Sequence, residues 1–214
     1  YNAAMRLPWL PLFLVACSTP QDAPAPTSPM PNATPDVHSH AEPGRVRTRH
    51  LSLDLTLDFE QHVARGSVTH ELERFDREAP FVADTNSLKI TAAFDQRGQP
   101  LAWELANNTD PVLGRRLAIR LLPDTERVRI DYETSPEAEA MQWLSPEQTN
   151  GGKAPFLFTQ GQAILTRSWI PLQDSPGVRV TYSARVRELL QSYSAQAHGQ
   201  IRLHEINPVR FTEA

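Results

Sequence analysis

The sequence predicts a mainly β fold, an antiparallel sandwich or saddle, preceded by a disordered tether. From residue 51 onward apolar residues alternate with polar ones, as in a strand with one wet face. Short runs of this kind recur between turn-forming sequences, without long helical runs. Nineteen prolines stand against nine glycines and are concentrated near the start, which is typical of a linker.

Residues 1–17 have the features of a lipoprotein signal peptide. One charge at Arg6 precedes an apolar run that ends at Cys17, the only cysteine, and this run is too short to span a bilayer. The segment Leu14–Cys17 resembles a bacterial lipobox, in which cleavage leaves the cysteine as a lipid-modified N-terminus. The residue after it, Ser18 rather than Asp, implies by resemblance to other lipoproteins no retention at the inner membrane. We therefore expect export and a lipid anchor on the periplasmic side, at the outer membrane; the alternative is a buried or incidental cysteine.

Residues 18–44 predict a disordered linker. The segment is rich in Pro, Ala, Ser and Thr and has almost no large apolar residue, so it cannot bury enough surface to offset the entropy lost on ordering. His38 and His40 are metal-ligand types at close spacing, but a linker without a third ligand does not predict a physiological metal site.

From residue 45 to residue 187 the pattern is that of strands. The first strand has apolar residues at alternate positions: Leu51, Leu53, Leu55, Leu57 and Phe59. A turn over Glu60–Gly66 then leads into Ser67–Glu73, which predicts an antiparallel hairpin. His70 alternates with apolar neighbours, and we expect a structural histidine with satisfied hydrogen bonds rather than a ligand.

Further strands are predicted at Phe81–Ala83, Leu88–Phe94, Ala102–Leu105, Arg116–Leu121 and Glu126–Tyr132. A loop with Trp143 follows, and Val178–Tyr182 is predicted to pair with the stretch that precedes it. The large aromatic side chains are expected to anchor the core, because they bury large areas: Trp143, Phe156, Phe158 and Trp169.

The stretch Phe156–Pro176 combines large apolar groups with neutral hydrogen-bonding groups, as a small concave site requires. On an extended segment Gln160 and Gln162 would point to the same face. Each amide has two donors and an acceptor, enough to hold a peptide group without a charge. The alternative is an apolar strand with two surface amides.

Three segments carry a family resemblance: Met141–Thr149, Gln160–Ala163 and Trp169–Pro176. They resemble the N-terminal β-domain of zinc aminopeptidases related to aminopeptidase N and leukotriene hydrolase, over about residues 45–187. The resemblance implies a saddle-shaped β-domain that packs against a catalytic domain. It also implies that substrate peptides are bound, beside the zinc, by Gln160, Gly161, Gln162 and Ala163.

The catalytic pattern of that family is not in this sequence. It requires His-Glu-x-x-His, two zinc ligands on one helix face with a glutamate as general base. Of the seven histidines, His70 and His204 are followed by glutamate, and Arg74 and Pro208 stand where the second histidine is needed. We therefore expect no catalytic or metal-binding residue here, zinc only in a missing catalytic domain, and no activity of the chain alone.

The expected partners are a peptide substrate, a separate catalytic domain and the membrane through the lipid anchor. Nucleic acid is not expected, because the net charge is −4 and such partners require a basic surface. The alternative function is a non-catalytic, lipid-anchored module that binds peptides or a partner.

Residues 188–214 predict a helix–strand tail. An amphipathic helix is expected over Arg185–Tyr193 and a strand over Gln200–Ile206. With the turn Pro208–Phe211, this pair weakly resembles a segment of the periplasmic auxiliary subunit of gliding-type ABC transporters. The join lies near residues 182–187, and both a chimeric chain and a lineage-specific tail are consistent with it.

Overall fold

The computed structural model describes residues 36–188. This part of the chain contains ten strands: β1 (Val46–Asp58), β2 (Val63–Arg74), β3 (Phe81–Thr85), β4 (Lys89–Asp95), β5 (Trp103–Leu105), β6 (Arg115–Ile119), β7 (Arg127–Glu133), β8 (Met141–Leu144), β9 (Phe156–Thr159) and β10 (Thr181–Glu188). Two short 3-10 turns, Pro146–Gln148 and Thr166–Ser168, follow β8 and β9. The mainly β prediction is confirmed, and the five strands expected after the first hairpin correspond to β3–β7.

The strands form three sheets. The largest has the order β10-β1-β2-β7-β4, the second β3-β6-β5, and β8 and β9 form a two-stranded hairpin. Neighbours are antiparallel except β1 and β10, which are parallel. Apolar side chains of the two larger sheets share one core, which includes Leu51, Leu53, Leu55, Val68, Phe81, Leu117, Ile119, Val128 and Ile130.

Burial in β1 follows the alternation of apolar and polar residues in the sequence, except that the buried positions shift by one residue near Arg49. Leu51, Leu53, Leu55 and Leu57 are all buried, as expected. The pairing with β2 is irregular between Thr48 and His50. Such a bulge shifts the two-residue period by one position, so Val46 and Thr48 also face the core.

The turn between β1 and β2 is shorter than the predicted Glu60–Gly66. Asp58 ends β1, and its Oδ1 accepts the backbone N–H groups of Glu60 and Gln61 at 3.1 and 2.9 Å, so the reversal is complete before Val63. Gly66 is a strand residue: a Cβ there would lie 2.0 Å from the carbonyl oxygen of Asp54. This glycine marks a close approach of two strands rather than a turn.

His70 is a structural residue, as expected. It is fully buried, its Nδ1 lies 3.1 Å from Thr48 Oγ1, and its Nε2 lies 3.0 Å from the carbonyl oxygen of Pro171. Its ring also lies 4.7 Å from that of Phe81, between centroids. His70 therefore joins three separate parts of the fold from inside the core.

The last described strand corrects two predictions. Val178–Tyr182 was expected to pair with the preceding stretch, but β10 begins at Thr181 and runs parallel to β1, with Tyr182 opposite Leu51. Residues Arg185–Glu188, the start of the predicted helix, belong to the same strand. Tyr182 and Val186 pack on the core while the arginines of β10 face solvent. The segment is a strand because it pairs with β1, and the local spacing of apolar residues does not reveal that pairing.

The end of the predicted linker is ordered. Residues 36–44 are described and hydrogen-bond to the domain through both backbone and side chains. The composition of this segment is that of a linker with little apolar surface. Its hydrogen-bond partners lie on β3 and beyond residue 170, so tertiary hydrogen bonds hold it in place.

Other predictions lie outside the described residues. These are the signal peptide with Cys17, linker residues 18–35, the remainder of the predicted helix and the strand Gln200–Ile206. Within residues 36–188, no helix is long and apolar enough to cross a membrane.

The buried state of His70 predicts a pH dependence of stability. Burial lowers the pKa of His70 from 6.5 to about 3. Below pH 6.5 the unfolded chain therefore binds a proton that the native state does not, so the free energy of unfolding falls as the pH falls. Between pH 7 and pH 5 this amounts to about 2 kcal/mol.

We expect His70→Gln to lose this contribution, so that its free energy of unfolding changes by about 2 kcal/mol less between pH 7 and pH 5 than that of the wild type. Denaturant unfolding of the full chain at several pH values measures this difference. Gln99→Asn, at an exposed turn position, is the control without a titratable group and should keep the wild-type slope. An unchanged slope in His70→Gln would contradict the assignment.

Candidate functional site

The predicted substrate-binding residues form a loop rather than a strand. Strand β9 ends at Thr159, and the backbone N–H of Gln160 donates to the carbonyl oxygen of Ala140 at 2.9 Å, one position beyond the β8–β9 hairpin. The carbonyl oxygen of Gly161 then accepts the N–H of Leu165 at 2.9 Å, which closes a turn into Thr166–Ser168. The expectation of an extended segment through Gln160 and Gln162 is therefore wrong, because the strand ends at Thr159 and a turn begins at Gln162.

The four residues of the loop differ in what they present. Gly161 is buried, whereas Gln160, Gln162 and Ala163 are exposed. The side-chain oxygen of Gln160 accepts the backbone N–H of Gln162 at 3.1 Å, so one amide group is partly used to shape the loop. The side chain of Gln162 has no hydrogen bond within residues 36–188. Its full set of donors and acceptor faces solvent, which is what an amide that binds a peptide must offer.

The hairpin beside the loop has an inner and an outer face. Trp143 and Leu157 are paired across β8 and β9 and pack against the core. Phe158 is opposite Gln142 on the other face, and both are exposed. The expectation that Phe158 anchors the core is wrong, because only one face of a two-stranded hairpin is covered by the domain. Trp169, by contrast, is 4% exposed and is a core anchor as expected.

Trp143 connects this hairpin to the turn between β1 and β2. Its ring meets Phe59 edge-on at 5.1 Å and stacks on His62 at 5.5 Å. Contacts of this kind contribute about 0.5–1.5 kcal/mol beyond burial. Trp143 is half-buried and packs against the core at its margin. Phe156 is also half-buried but is not among the described side chains that pack against the core, so its predicted role as a core anchor is not confirmed.

A buried ionic centre lies directly after the loop. Arg167 is 1% exposed, and its Nε and backbone N–H both donate to Asp174 Oδ2 at 3.2 Å. Its Nη1 donates to the carbonyl oxygen of Leu113 at 3.0 Å, and its Nη2 to the backbone carbonyls of His38 at 2.8 Å and Asp174 at 3.0 Å. A second buried carboxylate, Asp84, lies 3.8 Å from Nη2. We call Arg167, Asp84 and Asp174 the charge centre.

The charge centre fixes the loop to the smaller sheet. The backbone N–H of Asp174 donates to Asp84 Oδ2 at 3.0 Å, and Asn86 N–H donates to the carbonyl oxygen of Arg167 at 2.8 Å. Asp84 also exchanges backbone hydrogen bonds with Leu172. Both ends of the segment that follows the loop are therefore held by β3 and the residues next to it.

Burial raises the pKa of Asp174 to about 6, against the opposing effect of the Arg167 guanidinium. The centre thus holds a carboxyl group and a guanidinium in direct contact inside the domain. A buried ion pair of this kind is held in place by the surrounding hydrogen bonds, since removing either partner would leave the other charge unpaired.

Gln173 provides a second fixed point for the same segment. Its side-chain oxygen accepts the N–H of Thr48 at 2.9 Å, and its nitrogen donates to the carbonyl oxygen of Val46 at 2.8 Å. A primary amide has the same donor and acceptor as a peptide group, so it pairs with β1 like a neighbouring strand.

The outer face of the large sheet contains a shallow concavity of about 540 Å³. Its charged lining residues are Asp54, Arg65, Arg129, Asp131, Glu133 and Arg187. These side chains pair with one another or with neighbours: Arg187 contacts Asp54 at 2.5 Å and Arg65 contacts Glu133 at 2.7 Å. Because its charges are compensated in this way, the surface is a weaker candidate for a binding site than the loop.

Sequence reasoning identified the loop but missed the charge centre. Asp174 lies in one of the segments that carry the family resemblance, and Arg167 is the only charged residue between Phe156 and Gln173. An isolated arginine in an apolar stretch was the available signal. Within the described chain, residues 36–188, no group of three or more His, Cys, Asp or Glu side chains is arranged to hold a metal ion.

The comparisons with known proteins agree with this geometry. The model of the family described as the peptidase M1 N-terminal domain matches residues 47–197, which extends past residue 187, where the resemblance was expected to end. Leucine aminopeptidase 2 of Pyricularia oryzae is 34% identical over 146 residues, covering 65% of this chain and 24% of that protein. The leukotriene A-4 hydrolase homolog of Botryotinia fuckeliana is 32% identical over 151 residues, covering 67% and 23%.

Among solved structures, yeast leukotriene A4 hydrolase in complex with bestatin is 28% identical, with a TM-score of 0.68, over 77% of this chain and 26% of that chain. The chain thus spans about a quarter of the length of the curated relatives it matches.

The charge centre predicts a strong effect of removing its cation. Arg167→Met would leave two buried carboxylates without their partner, and we expect the free energy of unfolding to fall by about 3–5 kcal/mol. Arg127→Met is the matched control, since Arg127 makes an exposed ion pair with Glu71 at 3.0 Å, and it should cost at most about 1 kcal/mol. Denaturant unfolding of both variants at pH 7 tests this, and equal costs would refute the assigned role.

Proposed function

The chain belongs to the peptidase M1 family, as its N-terminal domain, and we propose that it positions peptide substrates for a zinc-bearing catalytic domain. This family consists of zinc metallopeptidases. The proposed role of the present domain is to hold the N-terminal residue and first peptide groups of a substrate while the metal acts on the bond.

The single observation that carries this proposal is the state of the Gln160–Ala163 loop. The side chain of Gln162 is exposed and has no hydrogen bond within residues 36–188, and its loop leads directly into the turn that carries Arg167 of the charge centre. A rigid support and an unsatisfied polar group together are what a positioning site requires, because fixed geometry lowers the entropic cost of bringing reactants together. Phe158 offers an exposed apolar surface on the neighbouring hairpin.

Hydrolysis is proposed to depend on residues outside this domain. The printed sequence has no His-Glu-x-x-His segment, and neither Gln160 nor Gln162 can serve as a general base or activate water. The domain is therefore proposed to bind peptides without cleaving them, and the zinc is assigned to the catalytic domain.

Peptide binding by the full chain tests this function. We expect a tripeptide with a free N-terminus, such as Ala-Ala-Ala, to perturb the NMR signals of the loop and to remain intact when zinc is added. Gln162→Ala should weaken binding roughly tenfold, by the loss of about one hydrogen bond. Gln99→Ala, in the exposed turn after β4, is the matched control.

Two results would count against the function: no binding by the wild-type chain, or equal affinity of Gln162→Ala and Gln99→Ala. Cleavage of the tripeptide that requires zinc and stops with a chelator would overturn the assignment of hydrolysis to another domain.

We further propose that the chain is exported and anchored by a lipid on Cys17, on the periplasmic side of the outer membrane. The support is the short apolar run that ends in Leu14–Cys17, since two or more acyl chains on one residue give stable attachment. Expressed in a bacterium with a lipoprotein pathway, the wild type should sediment with membranes and Cys17→Ser should not. Equal sedimentation of the two would refute the anchor.

A further inference from the structure

A short segment before β1 completes the charge centre. We call residues 36–40 the strap. Ser39 Oγ donates to Asp84 Oδ2 at 2.5 Å, and the backbone N–H of His40 donates to Asp84 Oδ1 at 2.7 Å. Asp84 is fully buried, so both oxygens of an inaccessible carboxylate receive donors from the strap.

The strap also contacts the cation of the centre. The carbonyl oxygen of His38 accepts from Arg167 Nη2 at 2.8 Å. At its first described residue, Asp36 Oδ2 accepts from Ser175 Oγ at 2.6 Å, next to Asp174. Five consecutive residues thus supply donors to the buried anion, an acceptor to the buried cation, and an acceptor to the segment that follows the loop.

The contacts between the strap and Arg167 connect the strap to the Gln160–Ala163 loop. Arg167 is in the 3-10 turn Thr166–Ser168, which closes the loop through the bond from Leu165 N–H to the carbonyl oxygen of Gly161. Without the strap, Asp84 would keep the N–H of Asp174 as its remaining close donor. Buried charged groups that lose hydrogen-bond partners must admit water or move, and the turn that carries Arg167 would move with them.

We propose that the strap positions the Gln160–Ala163 loop by completing the hydrogen bonds of Asp84 and Arg167. Its residues act as a peptide ligand of the domain's own charge centre, bound mainly through one hydroxyl and two backbone groups. The family match begins at residue 47, after the strap, so the assignment adds a positioning element that the family model does not cover. The link to substrate binding rests on the proposed function of the loop.

Hydrogen exchange of the full chain tests the proposal. Ser39→Ala removes one donor to Asp84, and we expect amide exchange at Leu165 and Asp174 to accelerate roughly tenfold or more. Exchange in the core strands β2 and β7 should not change. Ser39→Thr keeps the hydroxyl and should restore slow exchange at both amides.

Val37→Ser is the matched control within the strap, because Val37 is 77% exposed, and it should exchange like the wild type. If Ser39→Ala does not accumulate as folded protein, Asp36→Asn weakens the bond to Ser175 and should give a smaller, equally local acceleration. Unchanged exchange at Leu165 and Asp174, or equal acceleration in β2 and β7, would overturn the positioning role.

Tripeptide affinity of the same variants separates this proposal from the proposed function. If exchange in the loop responds to Ser39→Ala but the wild type binds no peptide, the strap is supported and the proposed function fails. If binding depends on Gln162 but is the same in Ser39→Ala, the function is supported and the strap proposal fails.

Discussion

The buried guanidinium of Arg167 is the interaction on which the arrangement of this domain depends. Arg167 is 1% exposed. Its hydrogen-bond partners come from segments far apart in the chain: the strap, the loop before β6 and the residues around Asp174. An ion in a poorly polarisable interior is tolerated only when its hydrogen bonds are satisfied. That requirement makes the charge centre demanding about geometry, and it brings three otherwise independent segments to one point.

The apolar core and the buried polar groups have different roles. The leucines of β1 and their partners on the second sheet belong to the shared apolar core, and burial contributes about 1.5–3 kcal/mol for each large side chain. That contribution is not directional. Direction comes from His70, Gln173 and the charge centre, whose donors and acceptors each require a particular partner. The segment Thr166–Ser175 contains or contacts all three, so the residues beside the Gln160–Ala163 loop are held by several directional hydrogen bonds.

This arrangement suits a domain that positions a substrate. A binding amide is useful only if its direction is constant, and here the exposed Gln162 lies a few residues from a buried ion pair. In the function that we propose, the chemistry that breaks the peptide bond depends on a metal outside this domain, and the domain contributes the position of the substrate.

Much of the fold was determined by the sequence alone. The alternation of Leu51, Leu53, Leu55 and Leu57 was enough to place β1, because the period of a strand is local and the burial of one face follows from it. The segments around Gln160 and Trp169 identified the family for a similar reason, since they are contiguous in the chain. The tertiary structure decided what depends on distant partners. β10 is a strand because β1 is beside it. Residues 36–44 are held by bonds to Asp84, Arg167 and Ser175, and the loop leaves the hairpin after Gln160 through the turn that Gly161 and Leu165 close. Local patterns report the period of a backbone, whereas the pairing of buried polar groups is settled only when the whole chain has folded around them.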